Sequence, residues 1–200
     1  MPDLLPAATV ADAGFPADLA LVFAKDEPDR NFLAQLLRAV GFDATFKADT
    51  VQQLCDLGRQ SQPDLIAIFS KGDDVAPQVV RHMRALPDAR LRSRPILVVC
   101  APLGVTEVRR ARDDGVDILL CRPVSLNLLR ERLAWRHRVA RRFIISPGYV
   151  GPDRRHAVDS LPVGVTCRRG AAAGIDSLPA DAPGSVLSQA TVDSVFFSEG

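Results

Sequence analysis

The polar and sulfur-bearing residues best placed for chemistry stand where short apolar segments end. They are Lys25, Asp26, Ser70, Cys100, Cys121 and Arg122. One acid beside a lysine makes a poor magnesium site, because Mg²⁺ prefers several hard oxygen ligands in a near-octahedral array. We therefore expect Asp26 to form an ion pair with Lys25 or Arg122, and we predict no metal site and no cofactor.

The four cysteines show neither Cys-x-x-Cys spacing nor the density of a disulfide scaffold. They indicate a cytoplasmic protein with reduced thiols. Cys100 and Cys121 end two neighbouring apolar segments, so they could come within disulfide reach and act as a redox switch. The alternative is that both are small apolar fillers of the core.

Apolar and amphipathic segments alternate between residues 19 and 142. Five short apolar segments predict strands, at 19–24, 44–48, 65–69, 95–100 and 118–120. Five segments with helical periodicity predict helices, at 29–40, 50–60, 75–86, 105–114 and 125–142. In the first helix, the apolar face consists of Phe32, Leu33, Leu36, Leu37 and Val40. The alternation predicts an α/β fold with one parallel sheet covered on both faces.

Composition limits the class of protein further. Of 200 residues, 47% are hydrophobic and 24% charged, and the net charge of +1 argues against strong polyanion binding. No apolar run approaches a membrane span, and the N-terminus lacks the basic start of a secretory signal. The predicted organisation is a flexible segment 1–17, a domain 18–142, a basic extension 143–156, a disordered linker 157–186 and a short amphipathic helix 187–197.

Four segments resemble, in order and at matching separations, those of the receiver domain of bacterial two-component response regulators. The segments are 21–28, 63–69, 95–101 and 115–123. The resemblance implies a doubly wound five-stranded parallel sheet with strand order 2-1-3-4-5. It also implies a cis peptide bond between Arg122 and Pro123.

The same alignment shows that the family's phosphorylation chemistry is missing. The phosphoacceptor aspartate of the family corresponds to Phe69, which has no nucleophilic atom. Where the family has two acids, a hydroxyl residue, an aromatic ring and a lysine, this chain has Lys25, Asp26, Cys100, Leu119 and Arg122. The resemblance thus implies a receiver fold that has lost aspartyl phosphorylation, and we expect no enzymatic activity.

An alternative alignment keeps that chemistry. Shifting the third strand by four or five residues brings Asp73 or Asp74 to the acceptor position. Ser70, Lys71 and Gly72 are typical of a turn, however, and the shift would break the match at Pro63 and Asp64. A phosphorylatable receiver in a phosphorelay therefore remains the second hypothesis.

The last predicted helix is strongly basic. Residues 125–156 contain eight arginines against Glu131 and Asp153. The predicted basic surface consists of Arg130, Arg132, Arg136, Arg138, Arg141 and Arg142. A partner with an acidic face is the favoured interpretation. Nucleic-acid binding is the third hypothesis, since aromatic platforms and a helix-turn-helix are missing.

The C-terminal segment 186–196 has the pattern of a short helix that folds on a partner. Ser188 is a good N-cap, Leu187 and Val192 form a hydrophobic staple, and Val192, Val195 and Phe196 share one edge. The segment resembles the receiver-binding peptide of the flagellar motor switch protein FliM, although Thr191 replaces that peptide's glutamate. The helix could dock on another receiver, dock on the last helix of its own domain, or be an ordinary frayed tail.

These features together predict a non-catalytic signalling adaptor that acts by protein contact in two-component or chemotaxis signalling. The expected partners are other receiver domains, a histidine kinase, or flagellar and chemotaxis proteins, without a membrane. Autoinhibition by the chain's own tail is included in this hypothesis.

Overall fold

The computed structural model describes residues 19–72, 75–138, 142–153 and 187–197. At its centre lies a parallel sheet with the order β2-β1-β3-β4-β5. The strands are β1 Leu19–Phe23, β2 Ala44–Ala48, β3 Leu65–Phe69, β4 Ile96–Cys100 and β5 Ile118–Cys121. The predicted fold class is confirmed, including the strand order. The predicted flexible segments 1–17 and 157–186 lie outside the described residues.

Helices connect successive strands on both faces of the sheet. They are α1 Glu27–Ala39, α2 Val51–Ser61, α3 Val75–Ala85, α4 Ala89–Arg92, α5 Val105–Asp113 and α6 Leu126–Arg138. Thr50 caps α2, because its hydroxyl oxygen accepts a hydrogen bond from the Gln53 N–H at 3.2 Å. The one-turn helix α4 was not predicted, since four residues carry too little periodicity to be recognised.

The core has two halves, one on each face of the sheet. On one face, α1 and α6 bury Leu33, Leu37, Leu129 and Leu133 against the sheet. The other face is covered by α2, α3, α4 and α5, and Met83 of α3 is fully buried there. All five residues of β3 are buried, as expected for a strand that lies between two neighbours and two helical layers.

The segment after α6 corrects the predicted helix 125–142. The described part of α6 ends at Arg138, and residues 143–152 form an antiparallel hairpin of β6 Phe143–Ser146 and β7 Tyr149–Pro152. Aromatic and β-branched residues at 143–145 favour a strand over a helix. The turn is at Pro147 and Gly148, and the Gly-Pro pair 151–152 lies within β7.

The C-terminal segment forms helix α7, Gln189–Phe197, which packs against α5 and β5. Its apolar residues Val192, Val195 and Phe196 are buried in the same half of the core as Met83. None of the helices in the described ranges is long and apolar enough to cross a membrane.

Candidate functional site

The carboxyl ends of the parallel strands bring Asp26, Phe69, Lys71 and Arg122 together; we call this group the carboxyl-edge pocket. Phe69 ends β3 and is 5% exposed. The Phe32 ring meets its ring edge-to-face with centroids 6.1 Å apart, and the Arg122 guanidinium lies 5.1 Å from its centroid. A cation over an aromatic face is attracted to it electrostatically. The end of β3, the strand between β1 and β4, is therefore occupied by a phenyl ring that offers no oxygen atom.

Phe32 corrects the predicted apolar face of α1. The sequence pattern places it in the core, but its side chain is 42% exposed and lies at the rim of the carboxyl-edge pocket. Helical periodicity predicts which side of α1 faces inward. It does not reveal which residues of that side lie beyond the edge of the sheet, as Phe32 does. The ring at the end of β3 gives Phe32 its contact.

The ion pair of Asp26 also differs from the prediction. Lys71, rather than Lys25 or Arg122, places its Nζ 2.6 Å from Asp26 Oδ2 and 2.9 Å from Asp29 Oδ2. The hydrogen bond and the positive charge of Lys71 hold the pKa of Asp26 below its usual value. Arg122 is held over Phe69 instead. Asp26 is consequently neutralised by a cation of the chain itself.

Sequence reasoning missed Lys71 and Asp29 as members of this site. Lys71 follows β3 by two residues, in a turn where Gly72 has a φ of +101°. That turn carries the lysine across to the β1 side. The sequence feature that could have identified Lys71 is its position as a basic residue just after the central strand. Across the described ranges, no three His, Cys, Asp or Glu side chains are grouped to hold a metal ion.

Cys100 and Cys121 occupy paired positions on β4 and β5. Their Sγ atoms are 4.0 Å apart, and both are free thiols. The contact with Cys121 and burial raise the pKa of the Cys100 thiol. This arrangement corresponds to two small core residues rather than to a formed disulfide, whose sulfur atoms lie about 2.05 Å apart.

Two further expectations concern the same edge of the sheet. The peptide bond between Arg122 and Pro123 is cis, as the resemblance implied. Asp73 and Asp74, the acceptors of the alternative hypothesis, lie outside the described residues. β3 ends at Phe69 and α3 begins at Val75, on either side of them.

A second surface adjoins this edge, between α5 and α6 over the outer side of β5; we call it the docking groove. Helix α7 occupies it. The Gln189 side chain accepts a hydrogen bond from the Cys121 N–H at 2.8 Å and donates one to the Leu119 carbonyl at 3.2 Å. β5 is an edge strand, whose outward backbone groups lack a partner strand. The amide of Gln189 satisfies two of those groups.

A buried ion pair joins α7 to α6. Asp193 Oδ2 accepts a short hydrogen bond from Arg132, and Asp193 Oδ1 accepts one from Gln189 Nε2 at 2.9 Å. Burial raises the pKa of the Asp193 carboxyl, against the opposing influence of Arg132 and Gln189. The prediction of Arg132 as exposed basic surface is wrong: the residue is 4% exposed, because α7 covers it.

The tail residues identified from the sequence line the same contact. The Ser188 hydroxyl oxygen accepts from the Thr191 N–H at 3.3 Å, and the Leu187 N–H donates to the Leu103 carbonyl at 3.3 Å. Phe197, which was not singled out, packs edge-to-face on Trp135 with centroids 4.9 Å apart. Gln189 and Asp193 were also missed, although their spacing of four residues indicates one helical face. Binding of these residues to another protein stays a prediction.

The remaining arginines of the predicted basic surface are only partly described. Arg130 Nη2 donates to the Ala39 carbonyl at 2.8 Å and so links α6 to the end of α1. Arg142 is exposed. The side chains of Arg136 and Arg138, and all of Arg141, lie outside the described residues. A continuous basic face therefore stays a prediction.

Comparison with known proteins finds similar folds but no close relative. No protein-family model matches the chain, and no curated protein does. Among solved structures, the chain is similar to the chemotaxis protein CheY4 of Vibrio cholerae, with 15% identity, a TM-score of 0.48 and coverage of 56% of this chain and 92% of that one. A response regulator from Desulfuromonas acetoxidans has 16% identity, a TM-score of 0.47 and coverage of 57% and 92%. The receiver domain of a signal transduction histidine kinase from Syntrophus aciditrophicus has 20% identity, a TM-score of 0.49 and coverage of 66% and 100%.

Proposed function

We propose that this protein is a non-catalytic signalling adaptor with a receiver-like fold, acting by protein contact in two-component or chemotaxis signalling without phosphorylation of its own. The observation that carries the proposal is Phe69 at the end of the central strand. Forming an aspartyl phosphate requires a carboxylate nucleophile, and a phenyl ring has none. Lys71 also neutralises Asp26, the acid that would otherwise help to bind a divalent cation.

The surroundings of Phe69 oppose an anion in its place. The ring is buried between Phe32 and Arg122, and a phosphoryl group entering there would displace a favourable cation–aromatic contact. A charged group in an apolar pocket costs several kcal/mol unless it gains hydrogen bonds and a counter-charge. Arg122 alone could supply part of that compensation. The carboxyl-edge pocket is thus better suited to holding one fixed conformation than to switching.

Incubation with acetyl phosphate and Mg²⁺ tests this part of the proposal. We expect no stoichiometric, acid-stable and base-labile phosphoryl adduct in the intact mass of the protein, because the central strand ends without an acceptor. A receiver domain with an intact acceptor aspartate serves as the positive control.

One adduct per chain would contradict the proposal. The variants Asp73→Asn and Asp74→Asn would then decide between the two acceptors of the alternative hypothesis. Loss of the adduct in one of them would make this chain a phosphorylatable receiver.

The docked helix α7 suggests how the adaptor is regulated. Residues 187–197 cover the docking groove with a buried ion pair and buried apolar side chains. Because the helix is tethered, its effective concentration at the groove is on the order of millimolar, and it outcompetes weak external ligands. A partner must therefore either displace α7 or bind α7 once it is released. We propose that this competition is the regulated step.

Competition is measurable with a synthetic peptide of residues 185–200. We expect the peptide to bind the full-length chain weakly, and to bind the double variant Asp193→Ala with Phe196→Ser at least tenfold more tightly, because that variant leaves its own groove open. A peptide carrying the same two substitutions is the matched control. Equal affinity of the peptide for the unsubstituted chain and for the double variant would show that α7 does not block the docking groove.

A further inference from the structure

A cavity of about 170 Å³ lies between α3, α5 and the end of β4. Val98, Cys100 and Leu119 line it from the sheet, and Ala76 and Ala111 line it from the helices. Phe69 belongs to the opposite half of the core, so this cavity is separate from the phenyl-filled part of the carboxyl-edge pocket. The helical walls contribute the small side chains of Ala76 and Ala111, and larger side chains at these positions would fill the cavity.

Polar groups around the cavity already have partners within the protein. Glu107 Oε2 accepts from the Gly104 N–H at 2.6 Å, and Asp114 pairs with Arg81 at 3.2 Å. The Ser70 hydroxyl oxygen accepts from the Gly72 N–H at 3.3 Å. A water molecule requires two to four polar partners to be held in a cavity. The charged side chains that line the cavity, Glu107, Arg110 and Asp114, carry both signs and already have partners in the protein, whereas most of the remaining lining is apolar; the cavity therefore favours a neutral, mainly apolar occupant.

We propose that this cavity is a binding site for a small neutral molecule with a single aromatic ring. In another protein, an apolar cavity of about 150 Å³ remains dry and binds benzene, which fixes the size of ligand that such a space accepts. The volume here is slightly larger, so a ring with one short substituent also fits. A ligand of this class gains apolar contacts with Val98, Leu119 and Ala76.

The cavity also shares residues with the docking groove. The carbonyl groups of Leu103 and Leu119, two lining residues, accept the hydrogen bonds from Leu187 and Gln189. Docked α7 therefore restricts two walls of the cavity, so the protein loses less conformational freedom when a ligand enters. Ligand binding and α7 docking should strengthen each other by the same factor. This coupling rests on the proposed docking function, whereas the binding site does not.

Benzene titrated into the full-length protein tests the site. We expect saturable changes in the NMR spectrum and a midpoint of thermal unfolding that rises with benzene concentration. Ala76→Leu and Ala111→Leu, which fill the cavity from two different helices, should each weaken benzene binding at least tenfold. Ala85→Leu, the same change at an exposed position of α3, should leave it unaltered.

Two results would overturn the site: no saturable binding up to the solubility limit of benzene, or unchanged affinity in a filled variant that remains folded. The coupling is tested with the Asp193→Ala, Phe196→Ser variant. Peptide 185–200 should raise the affinity of that variant for benzene. Equal benzene affinities with and without bound peptide would overturn the coupling while leaving the site in place.

Discussion

Asp193→Ala is expected to detach α7 from the docking groove. The substitution leaves the Arg132 guanidinium buried without its carboxylate, and loss of one partner of a buried ion pair typically costs about 3–5 kcal/mol. In the described part of the chain, Nε and Nη1 of Arg132 have no hydrogen-bond partner, so Asp193 provides most of the compensation. Undocking limits the loss, because Arg132 then regains water.

Trp135 reports this release directly. It is the only tryptophan of the chain, and Phe197 of α7 packs on it. We expect its fluorescence emission to shift to longer wavelength in Asp193→Ala and to stay unchanged in Ser194→Ala, a control on the same helix. Unchanged emission in a folded Asp193→Ala protein would contradict the assigned role of the ion pair.

A double-mutant cycle isolates the pair from the rest of the helix. Arg132→Ala and Asp193→Ala should each lower the free energy of unfolding, and the double variant should lose clearly less than the sum of the two. Once one partner is gone, removal of the other eliminates a buried charge rather than an interaction. Additive losses would show that the short contact contributes nothing to docking.

Arg84→Met is expected to have the largest effect on stability elsewhere in the chain. Arg84 is 3% exposed, and its Nη2 lies 2.6 Å from Asp117 Oδ2. The same guanidinium donates to the carbonyl groups of Gly115, Arg92 and Arg94. We expect a loss of about 3–5 kcal/mol in the free energy of unfolding, because the substitution removes the counter-charge of the buried Asp117 carboxylate and the shared donor of several carbonyl groups.

Arg81→Met is the matched control for this experiment. Arg81 lies on the same helix and also pairs with an aspartate, but its side chain is 46% exposed. An ion pair with a partly exposed partner typically contributes about 0–1 kcal/mol to the free energy of unfolding. Chemical denaturation of both variants measures the difference. A loss for Arg84→Met no larger than that for Arg81→Met would refute the assigned role.

Arg84 also explains why the hairpin after α6 lies where it does. The guanidinium stacks 5.3 Å from the Phe143 ring centroid, and β7 passes close to Gly115. A Cβ atom at Gly115 would lie 2.5 Å from the Val150 carbonyl oxygen, and its φ of +92° favours glycine. The extension is thus attached to the domain by an arginine and a glycine that the sequence alone did not connect with it.

The strands of the sheet could be predicted because they depend on local patterns, whereas their order was implied by the resemblance to receiver domains. Residues 65–69 are apolar without interruption, as a strand buried on both faces requires, and the predicted segment became β3 without change. Patterns of this kind repeat within a few residues. The end of α6 was predicted wrongly, because the arginines that follow it tolerate a helix or an extended chain, although the aromatic and β-branched residues 143–145 offered a local signal for the hairpin.

The pattern of residues along the chain was enough to predict the alternation of strands and helices, with a phenyl ring at the end of the third strand. Both follow from side-chain chemistry read along the chain. The pairing of Lys71 with Asp26, the return of α7 to the edge of β5 and the burial of Arg132 beneath it became visible only in the folded chain. These contacts join residues 45 to 68 positions apart. Many cations and carboxylates could pair in this chain, and only the folded backbone brings particular ones within reach.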